Sequence, residues 1–191
     1  MLNITTGILH KIRDAPTIER AMEREKRMNM LGVNCRTSPI VLDEFTHADP
    51  VNAYGVLNEW VLIAGDRAPD APGLVVAASL AETRLFDVFS PTYHTVLVFT
   101  PDAASSVDVL EALRRYPGVI RLVIVLPQPE GSEVTTVAQA DVVVDYGGHA
   151  YRAYLAVKGE KKVIVVRPDG VVGAIVRGVE GVGAYFSKIF V

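Results

Sequence analysis

Residues 94–126 read HTVLVFTPDAASSVDVLEALRRYPGVIRLVIVL, and this stretch decides the fold class. Its first seven residues are rich in Val, Leu and Phe, which predicts a strand. Residues 102–116 keep an apolar face at helical spacing, and Pro117-Gly118 is a typical helix stop. Residues 119–126 form a nearly continuous apolar run, as expected of a strand that is covered on both faces. A strand, a helix and a second buried strand in succession indicate an α/β protein.

The same kind of pattern extends on both sides of this stretch. Further strands are predicted at residues 74–77, 140–144, 162–167 and 171–176, and further helices at residues 82–89, 150–157 and 180–190. Pro168-Asp169-Gly170 joins two of the strands as a turn, and Pro168 is a candidate for a cis proline. This succession predicts a mixed central sheet flanked by helices, in the order of an elaborated thioredoxin fold.

The chain before residue 74 has a different character. Residues 11–31 are charge-dense and predict a helix over 14–31 with only a thin apolar stripe, which favours packing on one side, for example against a second subunit. Residues 32–73 contain four prolines and many polar residues, which predicts an irregular connector. We therefore divide the chain into an N-terminal extension over 1–73 and a thioredoxin-like domain over 74–191.

Composition narrows the classes of function. The chain has 191 residues, half of them hydrophobic, and a formal net charge of −3. Such a charge offers no basic field for a phosphate backbone, and the apolar runs are too short to cross a bilayer. Cys35 is the one cysteine, so neither an internal disulfide nor a Cys/His zinc site is expected. The sequence predicts a soluble cytoplasmic protein that binds no metal, no nucleic acid and no membrane.

Several segments resemble the phenol hydroxylase and hydroxyphenylpropionate hydroxylase group of flavoprotein monooxygenases. The segments are Met30–Asn34 with Ser38–Val41, Gly65–Pro69, Leu85–Phe89 with Val96–Phe99, and Val166–Val172 with Ala184–Phe186. Their order and spacing over residues 28–190 resemble the C-terminal, thioredoxin-like part of these enzymes. The resemblance implies a role in dimerisation and packing, and with the thin stripe of the 14–31 helix it leads us to expect a homodimer.

Two kinds of chemistry do not carry over with the resemblance. The Gly-x-Gly-x-x-Gly turn that cradles the flavin pyrophosphate in the family is missing from this sequence. A thioredoxin dithiol would follow residues 96–99, where this chain has Thr100-Pro101-Asp102-Ala103-Ala104-Ser105-Ser106. Because a hydroxyl has a far higher pKa than a thiol, serines cannot replace the dithiol. We expect no bound flavin, no other cofactor and no redox activity.

The richest cluster of polar side chains is residues 145–154, at the predicted end of a strand. Asp145, His149 and Tyr151 are candidate catalytic residues, with His149 as the proton-transfer group, Asp145 orienting it and Tyr151 donating to a developing oxyanion. His94, at the start of a strand, is the fourth candidate. A structural interpretation stays open, since an Asp can begin a helix and a Tyr can cap a loop.

Candidate substrate-binding residues are Tyr54, Trp60, Tyr93 and Arg152. A long irregular connector is uncommon unless it builds a site or an interface, so we expect a pocket for a small aromatic ligand between residues 32–73 and the core. Tyr54 and Trp60 are equally suited to anchoring the connector on the core.

Two functions remain open at this point. The first is a cofactor-free enzyme that acts by proton transfer on an aromatic or polyketide-derived molecule, as an isomerase, cyclase or lyase of secondary metabolism. The second is a non-catalytic dimerisation or accessory module that partners a flavin-dependent hydroxylase. An enclosed cavity lined by the candidate side chains favours the first, and a flat apolar patch favours the second.

Overall fold

A computed structural model describes residues 34–46, 61–128 and 136–190. The predicted helix over 14–31, Tyr54 and Trp60 lie outside these residues. The strands are β1 (Leu42–Asp43), β2 (Leu74–Val76), β3 (Glu82–Thr83), β4 (His94–Phe99), β5 (Ile120–Pro127), β6 (Asp141–Asp145), β7 (Lys162–Val166) and β8 (Val172–Val176). The helices are α1 (Leu85–Val88), α2 (Val107–Leu113), α3 (His149–Ala153) and α4 (Val179–Phe186).

The eight strands of the described residues belong to one mixed sheet in the order β1-β8-β7-β4-β5-β6-β2-β3. Strands β4, β5 and β6 run parallel, with His94 opposite Ile120 and Pro127 opposite Asp145. Strand β7 pairs antiparallel with both β4 and β8. The polar side chains that follow β4, β5 and β6 therefore gather at one edge of the sheet, and His94 lies at the other.

The sheet is covered on both faces, which explains the unbroken apolar run of its central strands. On β4, Leu97 and Phe99 belong to the cluster that packs against α1 and α3, while Val96 and Val98 belong to the cluster that packs against α2 and α4. All four side chains are fully buried. Alternate residues of one strand thus fill two separate cores, so no polar position interrupts the sequence.

The extension shares the core with the rest of the chain. Strand β1 pairs parallel with β8, and the Gly65 N–H donates to the Val172 carbonyl at 2.7 Å. Ala64, Ala68 and Ala71 are buried in the same cluster as Leu74. Residues on both sides of position 73/74 therefore build one packed unit.

Local expectations at residues 82–89 and at Pro168 differ from the structure. Residues 82–83 form strand β3 and only Leu85–Val88 form a helix, because Glu82 and Thr83 pair with β2. The peptide bond before Pro168 is trans, so the expected cis proline is wrong. Arg167–Gly170 instead forms a tight connection in which the Gly170 N–H donates to the Arg167 carbonyl at 2.9 Å.

Candidate functional site

The turn between β6 and α3 is organised by the Asp145 carboxylate. Asp145 is 1% exposed, and Gly148 precedes the helix with a left-handed φ of 66°. The backbone N–H of His149 donates to Oδ1, and the backbone N–H of Tyr151 donates to Oδ2, each at 2.9 Å. A helix leaves its first N–H groups without partners, and this carboxylate satisfies two of them.

Tyr151 directs its hydroxyl into the core. Its Oη lies 3.1 Å from both the Thr100 and the Val125 carbonyl oxygens, at the ends of β4 and β5. Burial raises the pKa of Tyr151 well above its ordinary value. A phenol has one hydrogen to donate. Because the Thr100 and Val125 carbonyls already accept it, the Tyr151 hydroxyl does not donate to an oxyanion in this arrangement.

His149 is exposed on the first turn of α3. Its imidazole lies over Gly147, where a Cβ would come within 2.6 Å of Cδ2 and 2.8 Å of Nε2. Asp145 contacts the backbone of His149 through a hydrogen bond. Arg152 is exposed on the same helix. Asp145, His149 and Tyr151 therefore lie close together because the Asp145 carboxylate caps the start of α3. It does so through the backbone N–H groups of His149 and Tyr151.

Helix α3 is also held at its C-terminal end by a charge that the sequence did not single out. Lys162 is 9% exposed, and its Nζ donates to the carbonyls of Tyr154 at 2.9 Å and Leu155 at 3.1 Å. Burial lowers the pKa of Lys162, and Asp43 opposes this effect. A carboxylate at the start and an ammonium at the end both complement the charges of helix termini. The sequence gives one indication of this contact. Neighbouring side chains of an extended chain point to opposite faces, so one of Lys161 and Lys162 is expected to point inward.

His94 lies in an aromatic cluster at the other edge of the sheet. Its ring centroid is 6.2 Å from that of Tyr185, 5.5 Å from that of Phe186 and 5.9 Å from that of Phe190. Burial lowers the pKa of His94 below 6.5, and the charge of Arg167 lowers it further. Along β5, His94 pairs with Ile120, the first residue of the strand, and Asp145 pairs with Pro127, its last residue.

Seven residue steps along a strand correspond to roughly 23 Å. The structure therefore does not bring His94 into one site with His149.

Tyr93 has a partner of its own. The Arg121 Nη1–H donates to the Tyr93 hydroxyl at 2.9 Å, and the Arg121 Nε–H donates to Asp141 at 2.6 Å. The Arg121 guanidinium also lies 5.9 Å from the centre of the Tyr93 ring. The Tyr93 hydroxyl thus belongs to a network that ties the chain before β4 to β5 and β6.

At the position where a thioredoxin has its two cysteines, this chain has a hydrogen-bonded turn formed by Asp102 and Ser105. Asp102 accepts hydrogen bonds from the Ser105 N–H at 2.9 Å and the Ser105 Oγ at 2.7 Å, and the hydroxyl lowers the pKa of Asp102 most. Lys161 pairs with Asp108 at 2.7 Å beside a depression of about 370 Å³. Within residues 34–46, 61–128 and 136–190, no group of three or more His, Cys, Asp or Glu side chains is placed to hold a metal ion.

We expect Asp145→Ala to lower the free energy of unfolding by about 2–3 kcal/mol, because one buried and one part-buried N–H group lose a charged acceptor. Urea unfolding at neutral pH measures the change. Asp141→Ala is the control on the same strand: its side chain is 46% exposed and paired with Arg121, so about 1 kcal/mol or less is expected. Equal unfolding midpoints for Asp145→Ala and the unchanged protein would show that the carboxylate does not stabilise the start of α3.

Solved structures share this architecture. The sequence matches no protein-family model and no curated protein sequence. The thioredoxin domain of a thiol-disulfide oxidoreductase from Bacteroides vulgatus superposes with a TM-score of 0.50 and 16% identity, over 67% of this chain and 98% of that one.

This chain has a thioredoxin-like fold.

Two flavoenzymes contain a similar fold. Aklavinone-11 hydroxylase, in a ternary complex with FAD and aklavinone, gives a TM-score of 0.57 and 18% identity over 83% of this chain. The flavin-dependent monooxygenase PieE, in complex with FAD and substrate, gives a TM-score of 0.52 and 12% identity over 91% of this chain. This thioredoxin-like chain spans 26% and 28% of their lengths.

No helix among the described residues is long and apolar enough to cross a membrane.

Proposed function

We propose that this chain is a non-catalytic association module of the kind carried by flavin-dependent aromatic hydroxylases, and that it acts as a homodimer. One observation carries the proposal: three of the candidate side chains, Asp145, Tyr151 and Tyr93, form hydrogen bonds within the fold. Both oxygens of Asp145 accept from α3, and the hydroxyls of Tyr151 and Tyr93 are bonded to core carbonyls and to Arg121. Asp145 and Tyr151 are 1% and 4% exposed, so a substrate cannot reach the oxygens of these side chains in the folded chain.

The extent of the structural likeness also supports this function. The thioredoxin domain covers 67% of this chain, whereas the two hydroxylases cover 83% and 91%. The additional share must include residues outside the part that the thioredoxin domain matches. A segment that accompanies the core in both hydroxylases suits a module that packs on a larger assembly more than a small redox protein.

The acid–base enzyme is the weaker of the two functions. It would rest on His149 without Asp145 oriented toward its imidazole, and on His94 at the opposite edge of the sheet. General acid–base catalysis needs a positioned donor or acceptor within hydrogen-bond reach of the reacting atom. The described side chains around His149 offer no such arrangement, so we do not assign the protein an isomerase, cyclase or lyase activity.

We expect light scattering to give a mass twice the 20.7 kDa of one chain. The protein is measured over a dilution series, and a mass that falls toward one chain on dilution is the control for reversible association. A desalted sample that was incubated with excess FAD should remain colourless. A mass of one chain at every concentration would contradict the dimer, and a retained yellow chromophore would show that the chain itself is a flavoprotein.

A further inference from the structure

A groove of about 600 Å³ runs beside the end of α2 and the start of β5. Leu110 and Leu113 reach it from α2, where a spacing of three places them on one face, and Ile120 and Leu122 reach it as alternate residues of β5. Leu110, Leu113 and Leu122 are less than 10% exposed and belong to the core cluster of α2 and α4. The floor of the groove is therefore the rigid outer surface of the core.

One wall of the groove is an aromatic ring with a fixed position. The Tyr116 ring centroid lies 5.3 Å from that of Phe186 and 5.1 Å from that of Phe190. On another side, the guanidinium of Arg115 lies 5.1 Å from the ring centre. Because these contacts hold the ring, Tyr116 lines the groove in a fixed position, without the cost of ordering a mobile side chain.

The lining of the groove combines this apolar floor with a similar share of polar surface. Arg114 lies on its rim and pairs with Glu111 at 3.1 Å, but both side chains are more than half exposed. Exposed pairs of this kind contribute about 0–1 kcal/mol, so the guanidinium can exchange Glu111 for another anion at little cost. A guanidinium also matches the planar geometry of a carboxylate, to which it can donate two parallel hydrogen bonds.

Gln139 adds a second polar group and a sign of strain. It lines the groove with a φ of 69°, in the left-handed region that costs a non-glycine residue roughly 1–2 kcal/mol. Retained backbone strain is a reason to look for function at a site. Here it places an amide, which can donate and accept, beside the apolar floor.

We propose that this groove binds a planar aromatic molecule that carries a carboxylate. The leucine and isoleucine floor and the Tyr116 ring receive the aromatic part, and Arg114 receives the anion. The volume lies within the range of about 300–1,000 Å³ typical of small-molecule sites, which combine apolar walls with a few polar groups. The site lies on the face that α2 and α4 cover, away from Asp145 and His149.

The probes are 2-naphthoate and its neutral counterpart 2-naphthamide, titrated into isotope-labelled protein and followed by amide chemical shifts. Shifts at residues 113–122 and 139 are expected. Arg114→Gln should weaken 2-naphthoate binding by roughly tenfold or more, as for the loss of a charge-assisted hydrogen bond, and should leave 2-naphthamide within about twofold. Arg152→Gln is the matched control, because it removes the same charge from an exposed side chain of α3, on the other face of the sheet.

Three results would overturn the proposal. The first is a set of shifts that lies elsewhere or is missing with both probes. The second is equal weakening of both probes by Arg114→Gln, which would indicate a structural effect and no recognition of charge. The third is a fall in the light-scattering mass as 2-naphthoate saturates, which would show that a second copy of the chain occupies the groove. The first two outcomes are independent of whether the protein is a dimer.

Discussion

We expect Gly65→Ala to lower the free energy of unfolding by about 3–5 kcal/mol, since overpacking and left-handed backbone strain add. Gly65 has a φ of 102°, which an L-amino acid adopts only with strain. A Cβ at this position would lie 2.4 Å from the backbone N and 2.5 Å from the Cα of Arg36. Both are main-chain atoms, so no side-chain rotation relieves the contact.

Gly118→Ala separates the two causes of this loss. Gly118 has a φ of 77°, but an added Cβ would meet no atom within 4 Å. Its expected cost is therefore the backbone strain alone, about 1–2 kcal/mol. Urea unfolding of both variants at one pH measures the difference. If Gly65→Ala is no less stable than Gly118→Ala, residues 35 and 36 do not cross Gly65 as closely as the structure places them.

This crossing matters because it joins the extension to the sheet. The Cys35 N–H donates to the Gly65 carbonyl at 2.7 Å, and the Val172 N–H on β8 donates to the Asp66 carbonyl at 2.8 Å. Gly65 thus lies between the chain at residue 35 and the edge of the sheet. In the sequence, the Gly65–Pro69 segment was notable only as part of a family resemblance, and its glycine has a physical reason here.

The fold was predictable because its central strands carry an unusually simple signal. Residues 96–99 and 122–126 are apolar at every position, and a strand needs this only when both faces are buried. The predicted fold class and the thioredoxin-like architecture are confirmed. Boundaries were less accurate: the helix predicted over 102–116 begins as a 3₁₀ turn at Ala104–Ser106 and is α-helical only over Val107–Leu113.

The boundary error has a local cause. Asp102 accepts two hydrogen bonds from Ser105, which tightens the first turn before the helix begins. Asp and Ser side chains compete with the backbone in this way and favour caps over helix interiors. Hydrophobic periodicity carries no information about such contacts, so it predicted a longer helix than the chain forms.

The candidate site was harder to predict, because side-chain chemistry and backbone support use the same residue types. Asp145 stood out as an acid beside a histidine, and the alternative that an Asp begins a helix was left open. The structure agrees with that alternative, since the carboxylate binds backbone N–H groups of α3. His94 and His149 were grouped because a histidine can exchange protons near neutral pH. Strand register separates them, and register depends on pairings that one sequence does not reveal.

Ion pairs between residues that are distant in the sequence could not be predicted for the same reason. Asp66 and Arg36 are 30 residues apart, and neither was singled out as a pair. In the structure Asp66 is fully buried, and the Arg36 Nε–H and Nη2–H donate to its two oxygens at 2.6 and 2.9 Å. The backbone N–H of Ile63 also donates to the Asp66 Oδ2 at 3.0 Å. The side chain of Arg36 is 12% exposed, so this ion pair is almost entirely removed from water.

Arg36→Met is expected to lower the free energy of unfolding by about 3–5 kcal/mol, because it leaves a buried carboxylate without its counter-charge. Methionine keeps much of the length of arginine, so the loss reports mainly on the charge and its two hydrogen bonds. Arg84→Met is the matched control. Arg84 pairs with Asp70, but its side chain is 53% exposed, and a change of about 1 kcal/mol or less is expected.

The double variant Arg36→Met/Asp66→Leu decides whether the pair itself stabilises the fold or only makes its single loss costly. Removing both charges eliminates the unpaired buried carboxylate, so the double variant should recover most of the stability that Arg36→Met loses. The Ile63 N–H then lacks its acceptor, which limits the recovery by about 1–3 kcal/mol. Urea unfolding of the four proteins forms a double-mutant cycle in which residues in contact give a coupling of roughly 0.5–3 kcal/mol. Strictly additive losses would mean that Arg36 and Asp66 act separately and that their contact contributes no coupling to the stability of the fold.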